Sequence, residues 1–366
     1  MATDPAGLAR WVEVHRLAVA GRQVAITRDV GERVCRVLLR TSRFAAVEAM
    51  ATATLTLGPE AGAFYQRGWA RSSTGRPWLA LEDFQQALAI YQQAGDRGNE
   101  AATLNNIGLV HDRLGDRQLA LDHYHRALPI LREVGDRAGE AGILNNIGLV
   151  HDGLGDRQLA LDDFHRALPI LREVGDRAGE AVTLHNIGSV YDGLGDLQRA
   201  LDDYHQALPI RREVGDRAGE AVTLNNIGYA HHKLGDWQRA LDHFHQALPI
   251  TREVGYRDGE AVTLNNIGGV YDRLGDRQRA LDYYHLALPI LREVGDRVGE
   301  ALTRFNIAMV YQADGDLDQA IQELEHVVDL DRQVDAPDLE ADTAVLEQLR
   351  RQRAGGHGSG PPPAGP

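Results

Sequence analysis

The chain repeats itself. Sliding the 366-residue sequence against itself by forty positions superimposes Gly108, Gly148, Gly188, Gly228 and Gly268, and likewise Ala120, Ala160, Ala200, Ala240 and Ala280. Residues 131–170 and 171–210 differ at only nine of forty places. A period of this length admits few architectures. One supersecondary unit that cannot bury its own apolar face is stacked on copies of itself until a continuous core forms. The residues of one unit, Ala181 to Glu220, therefore speak for most of the chain.

Within that unit Leu184, Ile187, Gly188, Tyr191 and Leu194 recur at helical spacing and predict a first helix with one apolar stripe, ending at Gly195. Asp196 is a natural N-cap, and Leu197, Ala200, Leu201, Tyr204, Ala207 and Leu208 repeat the spacing on a second helix that runs to Gly215. The unit is thus a helical hairpin. Gly188 and Ala200 are small where two backbones must approach, and Tyr204 supplies the bulk that fills the gap.

Leu184, Ile187, Gly188, Tyr191, Gly195, Ala200, Tyr204 and Ala207 together resemble the signature of the tetratricopeptide repeat. The match recurs in register from about Ala61 to Leu330. Each unit is about six residues longer than the common form, which resembles the long-repeat subgroup of kinesin light chains and bacterial signalling proteins. The resemblance implies an all-α fold, a right-handed α-solenoid superhelix of antiparallel helical hairpins. The family's proline after the second helix is replaced by an earlier one, at Pro129, Pro169, Pro209, Pro249 and Pro289. Inside a helix each proline removes a hydrogen bond at a cost of about 3 kcal/mol. The second helices are therefore expected to bend there and to free the carbonyls of His125, His165, His205, His245 and His285.

Residues 1–60 match the repeat poorly and are expected to form a divergent N-terminal helical cap. One face of it is read from Leu8, Trp11, Val12, His15, Ala18 and Val19, and a degenerate hairpin from Val34, Val37, Leu38, Phe44, Val47 and Met50. The stretch Trp11, Glu13, His15, Arg16 resembles the linker before tetratricopeptide arrays in STAND-type signalling ATPases, although no Walker sequence occurs in the chain. Residues 61–335 hold about seven repeats, five of them near-identical from 101 to 300. A capping helix over 336–353 and a disordered tail over 354–366 complete the expected organisation.

Net charge is −14, which makes a poor nucleic-acid binder. No apolar run approaches membrane-spanning length, so no membrane partner is expected. The first residues lack the marks of a signal peptide, and Cys35 is the only cysteine, which suits a reducing cytoplasm.

The opposite face of each first helix carries the functional expectation, because in the resembled family that face lines a concave groove. Asn106, Asn146, Asn186, Asn226, Asn266 and Asn306 form a column that never varies within the array. Asn105, Asn145, His185, Asn225 and Asn265 stand beside it, while Leu109, Leu149, Ser189, Tyr229, Gly269 and Met309 vary. A constant amide suits holding a ligand's main chain, and the changing neighbour would choose its side chains. The competing reading is that the amides bond to the next helix. Asp112, Asp152, Asp192 and Asp272 either add a negative stripe favouring a neutral or basic peptide, or are solvated helix-end charges cancelled by Arg113 and Arg273.

The histidine column His125 to His285, with His123 and His243, does not suit a metal. Successive hairpins stand about 10 Å apart, whereas ligands must lie near 2 Å from the ion. No nucleophile elbow, HExxH or phosphate loop is present. The sequence thus points to a non-catalytic scaffold or sensor without cofactor that binds a protein or peptide segment. A self-assembling array, in which near-identical edges stack into a homo-oligomer, is the main alternative. A detached sensor of a STAND-type system is another.

Overall fold

The computed structural model describes residues 5–356. Among the described residues there are eighteen α-helices and no strand. They form two compact units, Met1–Asn186 and Ile187–Pro366. Unit 1 opens with α1 (Pro5–Ala20), α2 (Val24–Arg40) and α3 (Phe44–Leu55). Three hairpins follow: α4 (Ala61–Ser73) with α5 (Pro77–Ala94), α6 (Arg97–Arg113) with α7 (Arg117–Val134), and α8 (Arg137–Leu154) with α9 (Arg157–Val174). The first helices α4, α6 and α8 also touch in succession. The boundary between units falls inside α10 (Arg177–Leu194).

Unit 2 continues with α11 (Leu197–Val214), then α12 (Arg217–Lys233) with α13 (Trp237–Glu253), α14 (Arg257–Arg273) with α15 (Arg277–Val294), and α16 (Arg297–Asp314) with α17 (Leu317–Val334). Again α12, α14 and α16 touch in succession, and α18 (Leu339–Gly356) packs on α17. Each unit is built as an all-α, tetratricopeptide-like solenoid of stacked helical hairpins.

The turns explain the hairpins. Gly135 takes the left-handed conformation at φ 71°, which only a residue without Cβ adopts cheaply. The next amide, Asp136 N–H, then bonds back to the Leu131 carbonyl at 2.9 Å, and the Asp136 carboxylate caps α8 by accepting the Gly139 N–H at 2.9 Å. Asp196 caps α11 in the same way, through the Arg199 N–H at 3.2 Å. Two residues thus end one helix and start the next.

Packing follows the stripes. In α8 and α9, Ala141, Leu144, Ile147 and Val150 are buried against Ala160, Leu161, Phe164, Ala167 and Leu168. Close approach at the constant glycines is real, since a Cβ on Gly148 would stand 2.6 Å from Cε1 of Phe164 and one on Gly188 2.7 Å from Cε1 of Tyr204. The last repeat has Ala308 in that column, and there the aromatic is replaced by Leu324.

Two expectations change in detail. Leu194 closes its helix exposed rather than buried, because it lies beside the turn. Trp11 and Val12 are likewise exposed. Of the face read for α1, His15 and Ala18 are the buried members, with His15 Nε2 2.9 Å from Thr54 Oγ1. Helices α7, α9, α11, α13 and α15 continue through their prolines, as a bend within a helix requires. Pro129 and His125, whose carbonyl loses its partner, are both exposed, so water can satisfy it. In α18, Leu346 and Leu349 are buried and Arg350 reaches Glu325 at 2.6 Å. Most of the stretch read as a disordered tail, residues 357–366, lies outside the described residues.

A second constant column shows its role only in the structure. Glu100, Glu140, Glu180, Glu220, Glu260 and Glu300 are all buried near the start of their helices. Glu140 of α8 accepts from Arg132 of α7 at 2.7 Å and from Arg137 of its own helix, while Arg137 also reaches Glu173 of α9 at 3.0 Å. Burial works against charge on Glu140, but the bonds from Arg132 and Arg137 outweigh it and hold its pKa below the ordinary glutamate value. One carboxylate thereby ties three consecutive helices.

Candidate peptide-binding face

The first helices place their asparagines side by side and half-buried, in contact with the next repeat. In unit 1, Asn106 Nδ2 donates to the Tyr65 hydroxyl at 2.8 Å, and Asn146 Nδ2 donates to Asn105 Oδ1 at 3.0 Å. Asn186 Nδ2 donates to Asn145 Oδ1 at 3.3 Å, and the same oxygen accepts from Thr183 Oγ1 at 3.2 Å. His185 stands half-buried in this row. In unit 2, Asn266 Nδ2 donates to Asn225 Oδ1 at 3.3 Å, and Asn265 Oδ1 accepts from Thr303 Oγ1 at 3.1 Å. Asn106, Asn146, Asn186 and Asn266 thus each donate to the residue 41 places earlier, which makes a ladder between successive first helices within each unit. The amides do bond between helices.

That ladder also orients the amides. With Nδ2 turned to the neighbouring helix, Oδ1 of Asn106, Asn146 and Asn266 accepts from no protein donor among the described residues. The varying column lies next to them. Leu149 and Tyr229 are exposed, Ser189 is exposed, and Leu109 is half-buried against the unit 1 core. Gly269 leaves its place open, and a Cβ there would meet only the Tyr284 hydroxyl, at 3.7 Å.

In unit 2 these residues converge. Tyr229, Asn265, Asn266, Gly269, Asp272 and Asn306 line one cavity of about 260 Å³. Arg273 shares that cavity with Asp272, so its charge is mixed. Asp192 is held by Lys233 at 3.0 Å, and the same ammonium lies 4.8 Å from the centre of the Tyr229 ring. Asp112 and Asp152 are half-buried. The aspartates thus do not form one uncompensated stripe within unit 2. Beneath them the Tyr204 hydroxyl has its pKa pushed up to about 12 by burial and by Asp192, and it hydrogen-bonds with Ser189 and Asn226.

The histidines stack in pairs, His111 on His123 at 5.6 Å and His231 on His243 at 5.4 Å. Burial pushes His123 down to about 4, so this ring is neutral at pH 7. Among the described residues no cluster of three or more His, Cys, Asp or Glu is arranged to hold a metal ion. Burial raises the Cys35 thiol to about 12, which leaves it a poor nucleophile. None of the described helices is long and apolar enough to cross a membrane.

Sequence reasoning missed one part of this face. In the first repeat, Tyr65 and Trp69 occupy the places that Asn105 and Leu109 hold one period later. The signal in the sequence is the departure of this first repeat from the columns that stay constant in the later ones.

Comparison with solved structures shows the same fold at low sequence identity. A signal transduction ATPase with numerous domains (STAND) from Pyrococcus horikoshii, a protein with a tetratricopeptide repeat sensor, superposes with a TM-score of 0.70 at 14% identity. The match covers 89% of this chain and 49% of that one, so the chain spans about half of its length. The apo quorum sensor NprR of B. thuringiensis gives a TM-score of 0.67 at 16% identity, over 88% of this chain and 98% of that one. A Rap protein complexed with competence and sporulation factor gives 0.55 at 14% identity, over 95% and 98%. A search of curated proteins returns no match. The tetratricopeptide repeat model matches residues 48–133, 139–213, 219–293 and 274–333, which is most of the sequence, and with the stacked hairpins it places the chain in the tetratricopeptide repeat family.

Proposed function

We propose that the chain is a non-catalytic scaffold or sensor that binds a protein or peptide segment along the asparagine face of its first helices. The observation that carries this is the oriented amide row. In unit 1 the nitrogens of Asn106, Asn146 and Asn186 are each engaged by the preceding repeat, so three consecutive first helices present a carbonyl oxygen beside side chains that change from repeat to repeat. Acceptors fixed in this way suit the N–H groups of a main chain, and Leu149, Ser189, Tyr229 and Gly269 would select side chains. The Rap protein solved in complex with competence and sporulation factor supports the reading by analogy of fold alone.

The experiment is a peptide-display selection on the full chain, followed by calorimetry with a selected peptide. Replacing Asn106, Asn146 and Asn186, all in unit 1, by Ala removes three net hydrogen bonds to the ligand of about 0.5–1.5 kcal/mol each. That corresponds to a loss of roughly one to three powers of ten in affinity. Leu109→Ala or Leu149→Ala should change which peptide is preferred. Unchanged affinity in the triple variant, with only its melting lowered, would leave these amides as structural ties and defeat the proposal.

A second reading adds to this one. The forty-residue period fits the long-repeat signalling subgroup, and the fold likeness to a STAND protein supports an array that senses for an ATPase carried elsewhere. Co-purification of such an ATPase from the native host checks it.

A further inference from the structure

The cleft between consecutive hairpins recurs along unit 1, but its chemistry changes at the amino-terminal end. Between α6 and α8 it is lined by Asn105, Leu131 and Asp136, with a volume of about 330 Å³. One period earlier the same register holds Tyr65, Tyr91 and Asp96, joined by Trp69, Glu60 and Glu32, around a cavity of about 430 Å³. The volume falls within the ordinary span of small-ligand sites, roughly 300–1,000 Å³. An amide and a leucine have been exchanged for two tyrosines.

The rings are held in a definite arrangement. Tyr65 and Trp69 meet with centroids 6.1 Å apart and planes at 88°, which makes a corner. The Tyr65 hydroxyl accepts from Asn106 Nδ2, and its ring packs edge-on against Phe84 at 5.8 Å, so the corner is anchored from behind. Trp69 is 45% exposed and faces the opening.

The carboxylates give the cavity its sign. Glu60 accepts the backbone N–H groups of Gly62 and Ala63 at the start of α4, and Asp96 accepts the backbone N–H and the side-chain Nδ2 of Asn99 at the start of α6, so neither is paired with a cation among the described residues. Glu32 is paired with Arg36, which also borders the cavity. Three carboxylates thus face one guanidinium. The Tyr91 hydroxyl registers this field: burial first, then Glu60, Asp96, Tyr65 and Glu32, hold its proton well above the ordinary tyrosine range.

Aromatic faces attract cations through their quadrupoles, and they favour those whose charge is spread over a weakly hydrated group. We propose that this cleft binds an organic cation, a guanidinium or an alkylated ammonium, against Tyr65, Trp69 and Tyr91 with Glu32, Glu60 and Asp96 supplying counter-charge. The cation is the head of an arginine or methylated lysine in a bound segment, or of a free small molecule. The site does not depend on the asparagine ladder acting as a clamp.

The test titrates the full chain with butyltrimethylammonium and with butylguanidinium, followed by calorimetry and by tryptophan fluorescence. The control is the uncharged analogue carrying a tert-butyl group in place of the trimethylammonium. Saturable binding of either cation, at least about tenfold tighter than the control and weakened by salt, is expected. The tighter of the two cations tells whether an alkylated ammonium or an arginine head is the natural occupant. Trp69→Leu keeps apolar bulk but removes the π face and should weaken binding about fivefold or more. Glu32→Gln, at an exposed position, should weaken it while leaving the melting temperature in place. Equal binding of the uncharged analogue, undiminished cation binding by Trp69→Leu, or no saturable binding of either cation would overturn the proposal. Because these probes contain no peptide main chain, failure here leaves the asparagine reading untouched, and failure of that reading leaves this one.

Discussion

Helix α8 contains two glycines for which the same substitution should have opposite effects. A Cβ placed on Gly142 meets no heavy atom within 4 Å. Gly142→Ala should therefore show only the gain in helix propensity and backbone entropy, about 0.5–1 kcal/mol. A Cβ on Gly148 would lie 2.6, 2.8 and 2.9 Å from Cε1, Cδ1 and Cζ of Phe164, whose side chain is fully buried. Carbon atoms settle at about 3.5–4.0 Å, so the ring or the helix must shift by about 1 Å. Overpacking of that kind costs about 1–3 kcal/mol, and after the propensity gain the net loss for Gly148→Ala should be about 0.5–2 kcal/mol. Phe164→Leu alone leaves a void and should also cost about 1–2 kcal/mol. Together the two changes should cost much less than their sum, because the chain already uses that pair in its last repeat, where Ala308 faces Leu324 and both are fully buried. The assay is urea unfolding followed by circular dichroism, fitted with nearest-neighbour terms because repeat arrays need not unfold in one step. A coupling of at least about 1 kcal/mol is expected. Strict additivity, or a Gly148→Ala variant as stable as Gly142→Ala, would refute the close-approach argument.

Glu140→Gln should destabilise by about 2 kcal/mol, since it removes charged hydrogen bonds to a buried carboxylate, moderated because both arginines are partly exposed. Glu173→Gln, at an exposed pair, should cost less than about 1 kcal/mol, and equal losses in urea would contradict this. The pKa of Glu140 is lower folded than unfolded, so its contribution is present above the unfolded value and is lost as pH falls through the folded one. Acid titration of Glu140→Gln should accordingly show a shallower fall in stability than the parent. Pro169 is exposed and α9 continues on both sides of it, so Pro169→Ala should stabilise by about 1–2 kcal/mol, less than the full helix penalty because proline also restricts the unfolded chain. A drop in melting temperature would mean that the ring itself is needed.

The fold was legible because its information is periodic. Stripe, turn glycine and capping aspartate each recur in register, and the glycine opposite an aromatic states a packing contact outright. Reading weakened where the period fails. Trp11 and Val12 read as a buried face by spacing alone, but both stay exposed in α1. The constant Glu100 to Glu300 column was present in the sequence and went unread, since a glutamate at a helix start is ordinarily a solvated dipole partner. Only the burial of Glu140 between Arg132 and Arg137 reveals it as a tie. For the candidate face, sequence could place Asn146 beside Asn145 but not decide which atom of the amide points where. That required the Asn146–Asn105 bond. Tyr65 and Trp69 stand one turn apart on α4, but Tyr91 is far along the chain and joins them only when α4 and α5 close.

The shortness of the turns has a consequence for how this chain tolerates changes of length. At most helix boundaries a glycine belongs to the helix that ends and the following aspartate to the helix that begins, as at Gly135–Asp136 and Gly215–Asp216. No slack segment separates them. An extra residue would have to be absorbed within a helix, where it rotates all that follows by about 100° and carries the buried stripe toward water. Adding or removing a full forty-residue unit leaves every later phase unchanged. Insertion tolerance is therefore quantised: single-residue insertions should be poorly accepted across the near-identical repeats, while whole-unit gains and losses should be accepted and should lengthen or shorten the asparagine row one step at a time.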